Sequence, residues 1–289
     1  MKVHVTGGSG FLGGHVIPRL LAAGHEPTAL ARSEQAADRV ARLGATPIFG
    51  DLDDPASVDE AFAASGAEAL VNLASLGFGH APAIVAGAEE AGLKRAVFVS
   101  TTSIFTGLAT ASKPVRVAAE DAIRTSLLDW TIIRPTMIYG LPGDRNMARL
   151  LGALRRLPVL PLPGGGRALQ QPVHVDDLAA AIVTSLDRAV TIHQAYDLGG
   201  PEPLSLRQVF EEAGAASGRR PVLVPLPLGP AVTVLRLYER IGPSPRLKSE
   251  QVARLAEDKA VDISAAVADL DFRPRSFAEG IRAELALIG

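Results

Sequence analysis

The residues best placed to do chemistry stand at the start of the chain. Thr6-Gly7-Gly8-Ser9-Gly10-Phe11-Leu12-Gly13 separates a strand-like run, Lys2-Val3-His4-Val5, from a helix-like run, His15-Val16-Ile17-Pro18-Arg19-Leu20-Leu21. Strand, glycine turn and helix in that order make a cradle for nucleotide phosphates. Gly7 permits the tight turn, Gly10 lets backbone approach a pyrophosphate, and Gly13 lets the helix pack close on the strand. The helix N-terminus adds free N–H groups and the positive end of a dipole.

Other chemistries lack their residues. There is no cysteine, which excludes disulfides, thiolate zinc sites and cysteine nucleophiles and fits a reducing compartment. No His/Asp/Glu set has metal-ligand spacing such as HxxEH or HExxH, so no metal site is expected. Ser-His-Asp hydrolysis lacks a GxSxG elbow, and Gly8-Ser9-Gly10 is committed to phosphate.

The elements that must position the cradle follow from the pattern of apolar runs. Strands are expected at 2–5, 26–31, 46–49, 68–73, 95–100 and 130–134, with helices near 11–23, 34–43, 55–64, 81–92 and 114–127. This alternation argues for a parallel sheet with helices on both faces. The runs at 68–73 and 95–100 are almost continuously apolar, as strands buried on both faces are. After about residue 140 proline and glycine become dense, as in 157–166, which reads as an extended, loop-rich wall of a pocket over 141–171. Helical patterns then follow near 176–187, 205–216, 229–241, 247–257 and 276–287, with Asp176, Asp177 and Ser205 as N-caps. The expected organisation is a dinucleotide domain over 1–140 and a smaller, mainly helical lobe over 141–289, interleaved with the sheet and covering its C-terminal edge.

Composition sets the remaining bounds. The 289 residues are 47% hydrophobic and 21% charged, enough for a sizeable core. A net charge of -2 and the lack of a basic run exclude a nucleic-acid footprint. The chain opens on a core strand without a signal-like leader and has no 18-residue apolar run. The expectation is a cytoplasmic protein with a small-molecule substrate, no nucleic-acid or membrane partner, and a monomeric or homodimeric state.

The motifs resemble, in order, those of the extended short-chain dehydrogenase/reductase superfamily. Thr6–Gly13 is similar to its TGxxGxxG fingerprint, and Gly50-Asp51-Leu52 stands where the family places an Asp against adenine. Asn72-Leu73-Ala74 and Val99-Ser100-Thr101-Thr102-Ser103 end the strands at 68–73 and 95–100. Arg134-Pro135-Thr136-Met137-Ile138-Tyr139-Gly140 resembles RPxxxYG, and Val173-His174-Val175-Asp176-Asp177-Leu178-Ala179 resembles hVxDvA. Leu198-Gly199-Gly200 and the Phe272-Arg273-Pro274…Phe277…Gly280 stretch also fit, so the likeness spans nearly the whole chain.

The resemblance implies a Rossmann fold, an α/β doubly wound parallel sheet with a smaller, mainly helical C-terminal lobe, and a nicotinamide dinucleotide. It implies cofactor contacts from Gly7, Ser9, Gly10, Phe11, Leu12, Gly13, Asp51, Leu52, Leu73, Ala74, Ser100, Arg116, Pro135 and Thr136. Arg32, nineteen residues after Gly13, bears on which dinucleotide is bound. An acidic residue there bonds the ribose 2′-hydroxyl of NAD, whereas arginine pairs with a 2′-phosphate through a charge-assisted fork. Ser33 adds a hydroxyl, so NADP(H) is expected over NAD(H); a solvated arginine opening a helix is the alternative. Helices 81–92 and 114–127 are those of the family's usual dimer.

The family's catalytic pair, a Tyr and a Lys four residues on, is missing. The tyrosines are Tyr139, Tyr196 and Tyr238, and the residues four beyond them are Gly143, Gly200 and Gly242. Aligning the family's YxxSKxxxE on Glu120 puts Ser112 at the Tyr position and Arg116 at the Lys position. This departure resembles atypical members: NmrA-like regulators, the NADPH-binding accessory subunit of respiratory complex I, and reductases that manage without the tyrosine. Serine does not ionise near neutral pH and arginine stays protonated, so Arg116 holds cofactor or stabilises an oxyanion. Catalytic candidates are Thr102, Ser112, Arg116 and Tyr139; Thr102 also reads as a cap of its strand and Tyr139 as a packed aromatic. Lys113, His80 and His174 are further candidates whose surface or structural readings are preferred.

Two functions stay open. One is an NADP(H)-dependent oxidoreductase or epimerase-like enzyme acting on a carbonyl, enone or quinone-type substrate, for which a solvent proton suffices. Met137, Met147, Leu150, Leu154, Leu160 and Leu162 point to an apolar substrate if they wall the pocket and to core if they do not. The other is a dinucleotide-binding regulator or accessory subunit without turnover. FAD- or SAM-binding proteins suit the glycine spacing less well.

Overall fold

The computed structural model describes residues 1–140, 143–144, 146–241 and 249–288. Part of the expected wall (Leu141, Pro142 and Arg145), Gly242, and the first two residues of the helix expected at 247–257 lie outside the described residues.

Seven strands form one sheet in the order β11-β6-β5-β4-β1-β2-β3. They are β1 (Lys2–Thr6), β2 (Glu26–Ala31), β3 (Thr46–Phe49), β4 (Ala69–Asn72), β5 (Arg95–Val99), β6 (Asp129–Pro135) and β11 (Gln194–Leu198). Every neighbouring pair is parallel, and the direction of winding reverses between β1 and β4. That switch opens a crevice beyond the C-terminal ends of the strands, where open α/β sheets bind ligands. The expected Rossmann architecture is therefore present. The strand at β11 was not expected: Gln194-Ala195-Tyr196-Asp197-Leu198 is short and half polar, so its pattern is weak.

Contacts divide the chain into two compact units. The first comprises Met1–Pro135, Val175–Leu198 and Asp262–Arg273; the second comprises Thr136–His174, Gly199–Val261 and Pro274–Gly289. In the first unit the sheet carries α1 (Gly13–Ala22), α2 (Glu34–Arg42), α3 (Pro55–Ser65), α4 (Ala81–Glu90), α5 (Ser112–Arg124), α7 (Val175–Asp187) and α11 (Ser264–Leu270). Its core is built from alternate apolar sheet positions and the helix stripes facing them, with Leu70, Phe98, Ile132, Phe62, Ile84 and Ile123 fully or almost fully buried. Arg95 ties the lower end of the sheet together. Its guanidinium donates to Thr131 and Thr191 hydroxyls at 2.8 Å each and to the Leu186 carbonyl at 3.2 Å.

The second unit holds β7 (Ile138–Tyr139), α6 (Asn146–Arg156), β8 (Val159–Pro163), β9 (Leu169–Gln170) and β10 (Val173–His174). It continues with β12 (Leu204–Ser205), α8 (Leu206–Ala216), β13 (Val222–Leu226), α9 (Leu228–Ile241), α10 (Ser249–Leu255) and α12 (Phe277–Ile288). Helix α6 falls within the stretch expected to be a loop-rich wall, just before its dense Pro/Gly run. Its Met147, Leu151 and Leu154 nevertheless recur at helical spacing and are buried. Strand β8 contains Pro161 and Pro163 and, among the described residues, pairs with β13 alone; proline is tolerated on such edge strands. Among the described residues no helix is long and apolar enough to cross a membrane.

Candidate functional site

The turn between β1 and α1 is a steric consequence of its glycines. Gly7 has φ +71°, and a Cβ there would stand 2.7 Å from the Ala74 backbone nitrogen. A Cβ on Gly13 would drive into the Gly8 carbonyl, so only glycine lets α1 start this close to the turn. Gly10 donates to the Gly7 carbonyl at 3.0 Å and is exposed, so the outer side of the turn is open to a ligand. The residues present fit a dinucleotide pyrophosphate: a compact turn, a helix N-terminus behind it, and no acidic residue in the first turn of α1. Phe11 is half-buried and stacks edge-on to His15 at 5.6 Å, while Leu12 is packed inward.

Around this turn stand the expected partners. Arg32 is exposed at the end of β2, and Ser33 caps α2 by accepting from the Ala36 N–H at 3.3 Å. Arg39, two turns into α2, donates to the Ser9 carbonyl at 2.9 Å and so places a second cation beside the cradle. Sequence reasoning missed Arg39, whose only signal was its position two turns after the Ser33 cap. Asp51 follows β3; its backbone N–H is held by Ser57 Oγ at 2.9 Å and its carboxylate accepts from Asp53 N at 3.1 Å. His80 pairs with Asp53 at 2.8 Å and thereby ties the loop after β4 to the loop after β3.

The ends of β4, β5 and β6 are locked by buried polar contacts. Thr6 Oγ1 donates to Asn72 Oδ1 at 2.5 Å, and Asn72 Nδ2 donates to the Ala74 carbonyl at 3.1 Å. The Leu73–Ala74 segment is thus held against β1. Ser100 donates to Glu120 Oε1 at 2.6 Å, and Arg134 Nε reaches both oxygens of the same carboxylate at 2.9 and 3.1 Å. Glu120 with Asp197 holds the Arg134 guanidinium above its ordinary value, although burial works against it. Burial pushes the Asp197 carboxyl up despite the neighbouring arginine. Pro135 is buried, and its carbonyl accepts from Thr102 Oγ1 at 3.4 Å.

On α5, Arg116 Nη1 donates to Ser112 Oγ at 2.9 Å and to Ser103 Oγ at 3.1 Å. The guanidinium lies over Gly77, where a Cβ would be 3.1 Å from Nε. Ser112 and Arg116 are thus hydrogen-bonded to each other, and Ser103 joins them. Thr102, one residue earlier, faces Pro135 instead. Lys113 is engaged elsewhere, its Nζ donating to the Thr106 carbonyl at 2.6 Å.

Thr136 and Tyr139 belong to the second unit. Thr136 is buried, and its hydroxyl donates to the Gln171 carbonyl. Tyr139 is fully buried between His174 and Phe277, with ring centroids 5.2 and 5.1 Å away. Its hydroxyl rests against Gly280, where a Cβ would collide with it. This is the environment of a packed aromatic. His174 is likewise buried, 3.8 Å from Glu284, a carboxyl that burial and then the Asp144 charge raise to about 7. Met147, Leu154, Leu160 and Leu162 are buried at 2%, 2%, 4% and 0% exposure, so they are core and do not report on a substrate. Among the described residues no cluster of three potential metal ligands exists.

A family model described as NAD(P)H-binding matches residues 7–189. The chain is 30% identical over 237 residues to the ceramide reductase of Caulobacter vibrioides, covering 78% of this chain and 73% of that one. It is 30% identical over 196 residues to NADH dehydrogenase [ubiquinone] 1 alpha subcomplex subunit 9, mitochondrial, of Arabidopsis thaliana. That match covers 64% of this chain but only 48% of the plant protein. Among solved structures, UDP-glucose 4-epimerase with UDP-glucose from Thermotoga maritima superposes with a TM-score of 0.76 at 17% identity, covering 100% of this chain and 98% of that one. At that identity the likeness concerns the fold.

Proposed function

The chain belongs to the NAD(P)H-binding family of atypical extended short-chain dehydrogenases/reductases, and on that premise we propose that it is an NADP(H)-dependent reductase of a small, apolar carbonyl, enone or quinone-type compound, working without a Tyr–Lys pair. The observation that carries this reading is the Ser112–Arg116–Ser103 group. Each serine oxygen accepts from the guanidinium and so keeps its own hydroxyl proton to donate to a substrate oxygen. The fixed charge strengthens those donors where negative charge develops, and it never leaves, because arginine does not deprotonate in proteins. The bound cofactor supplies the reducing equivalent; water supplies the proton.

The remaining roles belong to the same proposal. The Gly7–Gly13 turn and the α1 N-terminus receive the pyrophosphate. Arg32 pairs with the 2′-phosphate, and Arg39 fixes the Ser9 carbonyl beside it. Asp51 and Leu52 face adenine; Leu73, Ala74, Ser100, Pro135 and Thr136 line the nicotinamide half. Similarity to a protein named as a ceramide reductase supports both the reductive direction and an apolar substrate.

A second reading, a catalytically silent NAD(P)H-binding accessory subunit, draws on the absent Tyr–Lys pair and on the similarity to the plant mitochondrial subunit. Calorimetric titration with NADPH and NADH, followed by turnover assays on ketones, enones and quinones, separates the two. Tighter NADPH binding with turnover of any acceptor supports the reductase. Stoichiometric binding without turnover supports the silent subunit, and no binding removes both.

A further inference from the structure

The segment 219–241 reads Arg-Arg-Pro-Val-Leu-Val-Pro-Leu-Pro-Leu-Gly-Pro-Ala-Val-Thr-Val-Leu-Arg-Leu-Tyr-Glu-Arg-Ile, and no described side chain in it is buried. Scattered exposed apolar residues are ordinary on a protein surface, but apolar residues exposed in regular alternation along a strand or in a stripe along a helix mark a surface that meets something apolar. In β13, Val222, Val224 and Leu226 are 60%, 46% and 37% exposed at alternate positions, which share one face. The partner strand β8 sets Val159, 48% exposed, in register beside Val222. Helix α9 then exposes Val234, Leu237 and Tyr238 at 65%, 58% and 56%, a single stripe at helical spacing.

Charge decides what covers this surface. Strands β8 and β13 are parallel, so their N-terminal ends lie together. Arg155 and Arg156 precede β8, and Arg219 and Arg220 precede β13; all four are exposed. None of the four has an ion-pair partner among the described residues. Arg236 adds a fifth exposed cation within the stripe of α9, and the first acid after Arg219 is Glu239, which is engaged with Ser249.

We propose that the exposed apolar residues of β13 and of α9, with these arginines, dock the second unit on an anionic phospholipid bilayer. The valines, leucines and Tyr238 enter the boundary between headgroups and acyl chains while the arginines meet lipid phosphates, as in surface-lying amphipathic elements. The contact is peripheral. A second copy of the chain is the poorer cover, because an isologous interface buries the same patch from both partners and would bring two sets of unpaired arginines together.

The test is cosedimentation of the full chain with vesicles of phosphatidylcholine alone or mixed with phosphatidylglycerol, at low and high salt. Binding is expected only to the mixed vesicles and should weaken with salt. At about fivefold per arginine, Arg219→Gln with Arg220→Gln should lower partitioning about 25-fold. Val234→Asp with Leu237→Asp should lose binding while the melting temperature stays unchanged, because both sites are exposed. Equal binding to neutral vesicles, or none to anionic ones, overturns the proposal. So does a dimer in sedimentation equilibrium that the Val234→Asp and Leu237→Asp variant dissolves.

Discussion

Arg134 on β6 and Glu120 on α5 form a two-pronged ion pair, with side chains 13% and 5% exposed, and Ser100 at the end of β5 donates to the same carboxylate. The pair fixes helix α5, which carries Ser112 and Arg116, against the ends of two central strands. Removing Glu120 takes from the Arg134 guanidinium its nearer carboxylate and leaves Asp197 at 3.5 Å as its partner. Glu120→Gln should cost about 3 kcal/mol in denaturant unfolding, the low end for breaking a buried pair, because Asp197 stays with Arg134, and Glu120→Leu with Arg134→Met should recover part of it. Equal losses in the single and double variants would mean the pair holds nothing together.

Arg32→Asp tests cofactor choice. It should weaken NADPH binding by about 1.5–3 kcal/mol, the scale of a charged hydrogen bond, and leave NADH nearly unaffected. Unchanged NADPH affinity by calorimetry removes Arg32 from the 2′-phosphate and leaves Arg39 as the cation to substitute next.

If the serines and Arg116 serve the reacting oxygen, Ser112→Ala and Arg116→Ala should each lower kcat on the order of 10²-fold, as loss of an oxyanion donor does. Neither serine nor arginine titrates near neutrality, so kcat/KM should be flat from about pH 6 to 9. A bell-shaped profile would point to an ionising acid elsewhere.

Gly280 and Tyr139 should be coupled. Gly280→Ala overfills the space at the Tyr139 hydroxyl and should cost about 1–3 kcal/mol, less in a Tyr139→Phe background, where that oxygen is gone. Tyr139→Phe itself should retain turnover. Loss of kcat without loss of stability would return Tyr139 to the catalytic set.

His4 lies fully buried in β1, bonded to Thr28 Oγ1 at 2.8 Å, and burial lowers its pKa from 6.5 to about 4. The folded state therefore binds fewer protons than the unfolded state between those values. Its contribution to stability is complete above pH 6.5 and is lost as pH falls toward 4. A His4→Leu variant should lose less melting temperature across that window than the parent chain. Parallel curves would show that His4 is not the group that titrates.

The reach of the sequence differs from element to element. The β/α alternation through residue 135 was legible because buried parallel strands and the glycine turn each leave a local pattern. Strand β11 was not, since only its position beside β6 makes it a strand. The apolar residues from Met147 to Leu162 were visible as apolar, but whether they face a pocket or a core is a tertiary fact. Around Arg116 the sequence alone names Ser112 and Thr102, while the hydroxyls that accept from its guanidinium are those of Ser112 and Ser103. Thr102 and Ser103 sit in one 3-10 turn, where successive side chains point about 120° apart, so one residue of offset decides which hydroxyl meets Arg116.

The order of strands in the sheet also bears on how the chain is made. Strand β11 pairs with β6 across its whole length, from Gln194↔Thr131 to Leu198↔Pro135. Between them in sequence come Thr136–His174 of the second unit and then helix α7. During synthesis, β6 must wait as an unpaired edge until some sixty further residues have emerged. Ile132 and Ile133 then lie on an open, apolar template of the kind that nucleates aggregation. A nascent or truncated chain ending before Gln194 is for this reason the form most exposed to misassembly.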